Sequence, residues 1–470
     1  VDRYDLIVVG GGTAGLVTAA GAAGLGARVA LVERERLGGE CLWTGCVPSK
    51  ALLACGKAAA GVRAAGRYGV HAEPRIDFGE AMRWVHRARE RIAPNDSPER
   101  FRSLGVDVIH GTARFTAHRM LDVDGRALTS KRIVIATGSR PALPAIPGLD
   151  TVAYLTNETV FELTQRPGHL VILGAGPVGL ELAQAFVRLG TRVTVIERGA
   201  RLLPREEVEL AGLLGDHLVA DGVTLELGAA VTAVRRSDYG VVVTRTLNGT
   251  SADVGGTHLL VATGRASRTD TMDLDRGGVE IRDGSIAVDA HLRTTAPGVW
   301  ACGDCVGGPR LTHVADYQAR LVIRNAFFPF RGKADYSAIP WVTYTDPELA
   351  HVGLTEREAR ERHGSGVRAF TRPFTEVDRA IADGRTAGGV KLVTSARGIL
   401  LGGHILGSGA GDMIGEVALA VARGLSINAL GKLVHAYPSM PEAIRQAAQK
   451  YDKARFTGPV QRLTRWLVRR

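Results

Sequence analysis

Along this chain a pattern recurs: a short unbroken apolar run, a cluster of glycines, then apolar residues at helical spacing. Residues 5–9 (Asp-Leu-Ile-Val-Val) read as a buried strand that runs into Gly10-Gly11-Gly12-Thr13-Ala14-Gly15, followed by an alanine-rich helix to about residue 25. Residues 28–32 form the next strand, which ends at Glu33. A second copy opens at 169–173 and continues through Gly174-Ala175-Gly176-Pro177-Val178-Gly179, a helix to about 189 and a strand at 192–196 that ends at Glu197. Glycine and acid stand 23 positions apart in both copies, 10 to 33 and 174 to 197. Glycines at such a turn let a pyrophosphate approach a helix N-terminus, and the acid takes ribose hydroxyls. One match is weak, but two with the same internal spacing predict two domains for two dinucleotides. Candidate contacts are Gly10, Gly12, Gly15 and Glu33 in the first copy, and Gly174, Gly176, Gly179 and Glu197 in the second.

Two further apolar runs end in a glycine turn, Ile133-Val134-Ile135-Ala136-Thr137-Gly138 and Leu259-Leu260-Val261-Ala262-Thr263-Gly264-Arg265. No run reaches 18 apolar residues, so no membrane span is predicted. The strand pattern starts without the basic, apolar and cleavage segments of a leader, so the expected compartment is the cytoplasm. A chain of 470 residues suggests two to four domains. Lysine and arginine exceed the acids by 59 − 48 = +11, but the charges are dispersed and aromatics make up 5%. That argues against a nucleic-acid partner and for a surface that attracts phosphate-bearing dinucleotides or anionic lipid. Five cysteines is an odd count, unlike a secreted disulfide framework.

Cys41 and Cys46 stand five positions apart. On a regular helix that spacing costs about 7.5 Å of rise, beyond the roughly 7 Å Cα separation a disulfide bridges. Pairing therefore requires a distorted turn, which Gly45 permits, with regular helix resuming at Val47-Pro48. One reading is a redox-active pair at a helix start, where the dipole lowers a thiol pKa; the other is two reduced core cysteines. Cys302-Gly303-Asp304-Cys305 has the C-x-x-C form, but no second cysteine pair or suitably spaced histidine pair accompanies it. Packing is expected for it and for Cys55, and no metal site is predicted.

Gly39-x-Cys41-x4-Cys46-Val47-Pro48-Ser49-Lys50 resembles the active-site signature of the FAD-dependent pyridine nucleotide-disulfide oxidoreductases, the family of lipoamide dehydrogenase, glutathione reductase and mercuric reductase. The resemblance spans about residues 3 to 455. It implies an α/β fold of two Rossmann-like dinucleotide-binding domains plus a C-terminal α+β dimerisation domain. The expected spans are 1–150 for the FAD domain, 151–270 for the NAD(P) domain, 271–335 for the return to the FAD domain and 336–470 for the interface domain. FAD is expected at the first glycine turn, which leads into the cysteine pair, and NADH or NADPH at the second. The resemblance further implies that Cys41 is the interchange thiol, that Cys46 lies against the flavin, and that Lys50 sits near flavin N5 with Glu181 as its partner. Asp304 would bind the FAD ribityl chain, and Thr312-His313 would open a helix toward the flavin O2 side. Glu197 favours NADH because a carboxylate repels a 2′-phosphate, whereas Arg198 beside it is the residue type that NADPH enzymes use.

Thr345-Asp346-Pro347-Glu348, Val352-Gly353-Leu354-Thr355, Lys391 and Gly411-Asp412-Met413-Ile414 resemble the family's dimerisation domain, which implies a homodimer whose site is completed by the partner's C-terminal segment. In lipoamide dehydrogenase and glutathione reductase that segment carries a catalytic histidine and a glutamate five residues later. Here Glu442 matches, Tyr437 takes the histidine position, and His435 matches the family's other histidine. A phenol with a pKa near 10 is a poor base where an imidazole near 6.5 is a good one. Tyr437 and the run Asn95-Asp96-Ser97-Pro98-Glu99-Arg100-Phe101 resemble the mercuric reductase branch, yet no cysteine follows Cys305 to supply that branch's C-terminal pair. The expected activity is NAD(P)H-dependent transfer of electrons through FAD and a redox-active disulfide to a small disulfide, metal ion or oxidant. The alternatives are an NAD(P)H:quinone reductase or diaphorase, and a lipoamide dehydrogenase-like subunit of a multienzyme complex. The tail 460–470, if helical, groups Leu463, Trp466 and Leu467 beside Arg462, Arg465 and Arg469, a candidate contact with an anionic membrane surface.

Overall fold

The computed structural model describes residues 1–455 and 458–469. They form two compact units, one of residues 1–196 and 230–335, the other of 197–229 and 336–470. Residues 197–229 thus group with 336–470 rather than with the stretches that flank them in sequence. The reason is polar: inside that segment Glu206 bonds His351 and Glu207 bonds Lys391 of the second unit's sheet.

The first unit is built on a five-stranded parallel sheet in the order Val299–Ala301, Ile133–Ile135, Leu6–Val9, Val29–Glu33, Val106–His110. Leu6–Val9 is buried on both faces, as continuous apolar strands of parallel sheets are. The glycine turn follows directly, and the helix Thr13–Gly24 begins at Gly12 with no side-chain cap. The second copy repeats this arrangement. His169–Leu173 pairs in parallel with Arg192–Glu197 and His258–Val261, and the helix Pro177–Arg188 begins at Gly176, again without a side-chain cap. Among the described residues, a four-stranded mixed sheet, the antiparallel meander Ala230–Ser237, Gly240–Leu247, Thr250–Gly256 and two two-stranded antiparallel ribbons complete the unit's sheets.

The second unit carries a five-stranded antiparallel sheet in the order Pro340–Thr343, Glu348–Gly353, Leu400–Gly407, Gly389–Thr394, Arg368–Pro373. The helices Ala410–Ala422 and Glu442–Arg455 supply Val417, Ile414, Ile444 and Ala447 to a core shared with Val352, Leu392 and Ile405 of the sheet. This is the α+β layer predicted for the C-terminal part.

Candidate active site

The cysteines stand on two consecutive helices, Cys41 on Gly39–Trp43 and Cys46 as the first residue of Cys46–Ala64. Regular helix thus resumes at Cys46, one residue before the predicted Val47. Gly45 makes the break at φ −128° and ψ −113°, and a Cβ there would meet the Glu40 carbonyl oxygen at 2.9 Å. Both cysteines are thiols; Cys41 is half-buried and Cys46 exposed. Their environments pull them apart. The hydrogen bond from Cys41 lowers the Cys46 pKa to about 6 against the opposing effect of burial, with help from the Thr312 hydroxyl and the Lys50 charge. The same bond, followed by burial, drives the Cys41 thiol upward. The proton therefore rests on Cys41 and the negative charge on Cys46, at a helix N-terminus that favours it.

Cys46 Sγ lies 3.2 Å from Thr312 Oγ1, the first residue of the helix Thr312–Phe327, where exposed His313 follows. One turn along from Cys46, Lys50 Nζ is 2.8 Å from Glu181 Oε2, a carboxylate only 4% exposed on the helix of the second glycine turn. The structure thus brings together Cys41, Cys46, Lys50, Glu181 and Thr312.

A second polar group surrounds Asp304. Its Oδ2 accepts from Ser139 Oγ at 2.5 Å and lies 3.6 Å from Arg265 Nε, while the Arg265 guanidinium also grips Glu40. Glu40 additionally accepts from Asn157 Nδ2 at 2.8 Å. Burial raises the Glu40 pKa to about 7 in spite of Arg265. Sequence reasoning missed Glu40, Arg265, Ser139 and Asn157. The available signal was a carboxylate inside the cysteine signature and an arginine directly after Gly264.

The glycine turns fit dinucleotides. At Gly10, φ is +110° and a Cβ would lie 2.3 Å from the Ala136 oxygen; at Gly15 it would lie 1.7 Å from the Gly10 oxygen. Gly174 (φ +105°) and Gly179 repeat this, at 2.6 Å from the Ala262 oxygen and 2.1 Å from the Gly174 oxygen. In contrast, a Cβ at Gly12 would meet nothing closer than 3.9 Å, and at Gly176 nothing within 4 Å, which leaves open space over two uncapped helix N-termini. Gly138 and Gly264 both lie in the positive-φ region with nothing within 4 Å of a Cβ. Glu33 accepts from Gly11 N at 2.6 Å and lines a cavity of about 580 Å³ with Arg36, Trp43, Asp96 and His110. Glu197 Oε1 accepts from Gly199 N at 2.6 Å, and Arg198 is exposed.

In the second unit the three C-terminal candidates have separate partners. Tyr437 is 71% exposed and donates to Asp378 Oδ2 at 2.9 Å. Buried Glu442 accepts from Arg445 at 2.7 Å. His435 Nε2 lies 3.1 Å from Glu416, with its side chain 9% exposed.

Residues 4–319 match the pyridine nucleotide-disulphide oxidoreductase family, and residues 339–448 match its dimerisation domain. The chain belongs to this family. A mercuric reductase of Streptomyces lividans is 40% identical over 459 residues, covering 95% of this chain and 96% of that protein. A dihydrolipoyl dehydrogenase of Geobacillus stearothermophilus is 34% identical, with 95% of each chain covered. Among solved structures, the Cu(II) complex of the HOCl-induced flavoprotein disulfide reductase RclA from Escherichia coli matches with a TM-score of 0.86 at 27% identity, over 96% of this chain and 99% of that one. The protein is therefore an FAD-dependent oxidoreductase that uses NAD(P)H, with a redox-active disulfide centre and a homodimer-forming domain.

Cys302 and Cys305 are fully buried, and Cys305 Sγ is hydrogen-bonded to the Cys302 and Ile135 carbonyls, so this C-x-x-C packs as expected. Nothing supports the membrane contact expected of the tail. The segment Gly458–Val468 is helical with Trp466 and Leu467 half exposed, while the Val460 and Leu463 side chains and Arg470 lie outside the described residues. Among the described residues, no helix is long and apolar enough to cross a membrane.

Proposed function

We propose that this enzyme passes electrons from NAD(P)H to the Cys41–Cys46 pair and from there to a thiophilic acceptor, a soft metal ion or an electron-deficient oxidant, in preference to a dithiol-linked disulfide. FAD, when bound, supplies the two-electron relay between nicotinamide and cysteines. Gly10, Gly12, Gly15 and Glu33 would hold its adenosine diphosphate half, Asp304 its ribityl chain, and the first turn of the Thr312 helix its flavin end; Gly174, Gly176 and Gly179 would hold the nicotinamide dinucleotide. The chain's own chemistry is then the division of labour between thiols. Cys46 holds the thiolate, Lys50 places a positive charge beside it, Glu181 fixes Lys50, and Cys41 keeps the proton until it attacks the acceptor.

The observation that carries the choice of acceptor is the state of Tyr437. Its hydroxyl is bound to Asp378, and that bond raises its pKa further from neutrality. The nearby imidazole, His435, is sequestered against Glu416. A disulfide substrate needs a proton delivered to its leaving thiol, whereas metal ions and oxidants do not. Some of the relatives support this reading, the mercuric reductases and a reductase described as HOCl-induced and solved with Cu(II), while the dihydrolipoyl dehydrogenases among them do not favour it. The test is a turnover screen of the pure holoenzyme with lipoamide, glutathione disulfide, Hg(II), Cu(II), quinones and chlorine-based oxidants. Metal or oxidant turnover that is lost in Cys41→Ser supports the reading. Fast lipoamide or glutathione disulfide turnover overturns it, and quinone turnover that survives Cys41→Ser assigns direct discharge from flavin instead.

A further inference from the structure

Glu206, His351 and His404 come from three separated stretches of the second unit and meet in its interior, 4%, 1% and 0% exposed. His351 and His404 are direct cross-strand partners, their rings edge to face at 4.3 Å. One donor atom from each of the three residues lies within 4.8 Å of the others.

The hydrogen bonds around the rings decide their tautomers. His351 Nε2 is 2.9 Å from the Gly353 oxygen and His404 Nε2 is 3.1 Å from the Leu354 oxygen. A carbonyl only accepts, so both Nε2 atoms carry hydrogen, and each Nδ1 is the nitrogen left to take a proton or a metal. His404 Nδ1 is buried with no partner, in a ring that is 0% exposed. His351 Nδ1 faces Glu206 Oε2 at 3.0 Å. A lone pair and a carboxylate oxygen at that distance require a positive charge between them. The neighbouring ammonium is already committed, with Lys391 Nζ 2.8 Å from Glu207 and 2.9 Å from Glu356. Glu206 Oε1 accepts from Trp341 Nε1 at 2.6 Å, a neutral donor that orients the carboxylate without neutralising it.

We propose that Glu206, His351 and His404 bind a divalent transition-metal ion, with zinc the best match to two imidazoles and a carboxylate. Backbone carbonyls that hold the far nitrogen of each imidazole are the outer-shell arrangement of metal-bound histidines. Tetrahedral zinc with bonds of about 2.0–2.2 Å places its donors about 3.3–3.6 Å apart, so a pair at the 4.8 Å limit has to close by about 1.2–1.5 Å as the metal enters. With every ligand buried, the site is structural and clips residues 197–229 onto the sheet of the second unit. It departs from the expectation of no metal, which rested on the spacing of cysteines and histidines along the sequence. No local motif joins positions 206, 351 and 404.

The experiment uses the full-length holoenzyme carrying Cys41→Ser and Cys46→Ser, so that the redox thiols bind no metal. After treatment with a chelator, reloading with Zn(II) and exhaustive dialysis, metal analysis should find one zinc per chain, and the thermal midpoint should rise on reloading. Co(II) in place of zinc should give visible d–d bands, and Cu(II) should quench the fluorescence of Trp341, whose ring stacks on His351 at 4.0 Å. Glu206→Gln, which keeps an acceptor for Trp341, should weaken Zn(II) binding at least tenfold, as should His404→Leu. If the reloaded protein retains no zinc and its thermal midpoint is unchanged by metal, the positive charge is a proton on His351 and the metal site is wrong. Zinc retained equally by Glu206→Gln and His404→Leu would overturn it too.

Discussion

Cys41 and Cys46 are the same residue type five positions apart, yet their environments split them into a proton holder and a charge holder. The Cys46 pKa is depressed to about 6, so its thiolate forms as pH rises through that value and is lost as pH falls below it. The linked stability has the same sign, fully present above the ordinary thiol pKa of about 8.5 and lost as pH falls through about 6. In reduced enzyme, ultraviolet thiolate absorbance should therefore rise with a midpoint near pH 6, and Cys41→Ala, which removes the leading cause, should move it upward. A midpoint near that of an ordinary thiol would show that Cys41 does not hold the proton. Anaerobic two-electron reduction should produce a long-wavelength thiolate-to-flavin charge-transfer band, which should vanish in Cys46→Ser and be visible without reduction in Cys41→Ser. At the second glycine turn, Glu197 should make kcat/KM larger with NADH than with NADPH. A steady-state comparison checks this, and a clear NADPH preference would assign the ribose contact to Arg198 instead.

The strand, glycine turn and helix were legible because each depends on short-range sterics. The predicted strand at 169–173 is found at His169–Leu173, and the first predicted strand is found at Leu6–Val9, short by Asp5. Within each turn the glycines have different jobs, which only packing reveals. A Cβ at Gly15 collides with the Gly10 oxygen at 1.7 Å, whereas one at Gly12 meets nothing within 3.8 Å of it, at φ −80°. Gly15→Ala should therefore force helix and strand apart, at a cost of about 1–3 kcal/mol typical of overpacking. Gly12→Ala should leave the protein's thermal unfolding near wild type and reduce FAD content, because its methyl group enters only the cofactor's space. Thermal unfolding with and without added FAD, together with flavin content, separates the two. A Gly12→Ala protein with full FAD content would place the pyrophosphate elsewhere.

In the homodimer, the substitution of tyrosine for the family's histidine is the feature with the widest reach. Tyr437→His should raise turnover of lipoamide or glutathione disulfide about tenfold or more, against the roughly 10²–10⁴-fold that a well-positioned acid-base contributes. Tyr437→Phe should lower turnover of the native acceptor. Unchanged disulfide turnover in Tyr437→His would mean that the missing base is not what restricts the enzyme. That tyrosine was readable because it sits inside a dense motif, as were both glycine turns, the cysteine pair and the α/β class. Periodicity, glycine placement and residue spacing act over a few residues and leave their mark in any short window. The ion pair of Lys50 with Glu181 joins residues 131 positions apart, that of Glu40 with Arg265 joins residues 225 apart, and the contact of Glu206 with His351 joins residues 145 apart. Such pairs exist because sheet register and helix packing bring distant side chains together in a medium too dry to leave a charge unpaired. A single sequence shows no trace of that register. The thiolate's position, the grip on Asp304 and the buried trio of Glu206, His351 and His404 were therefore settled by the folded arrangement.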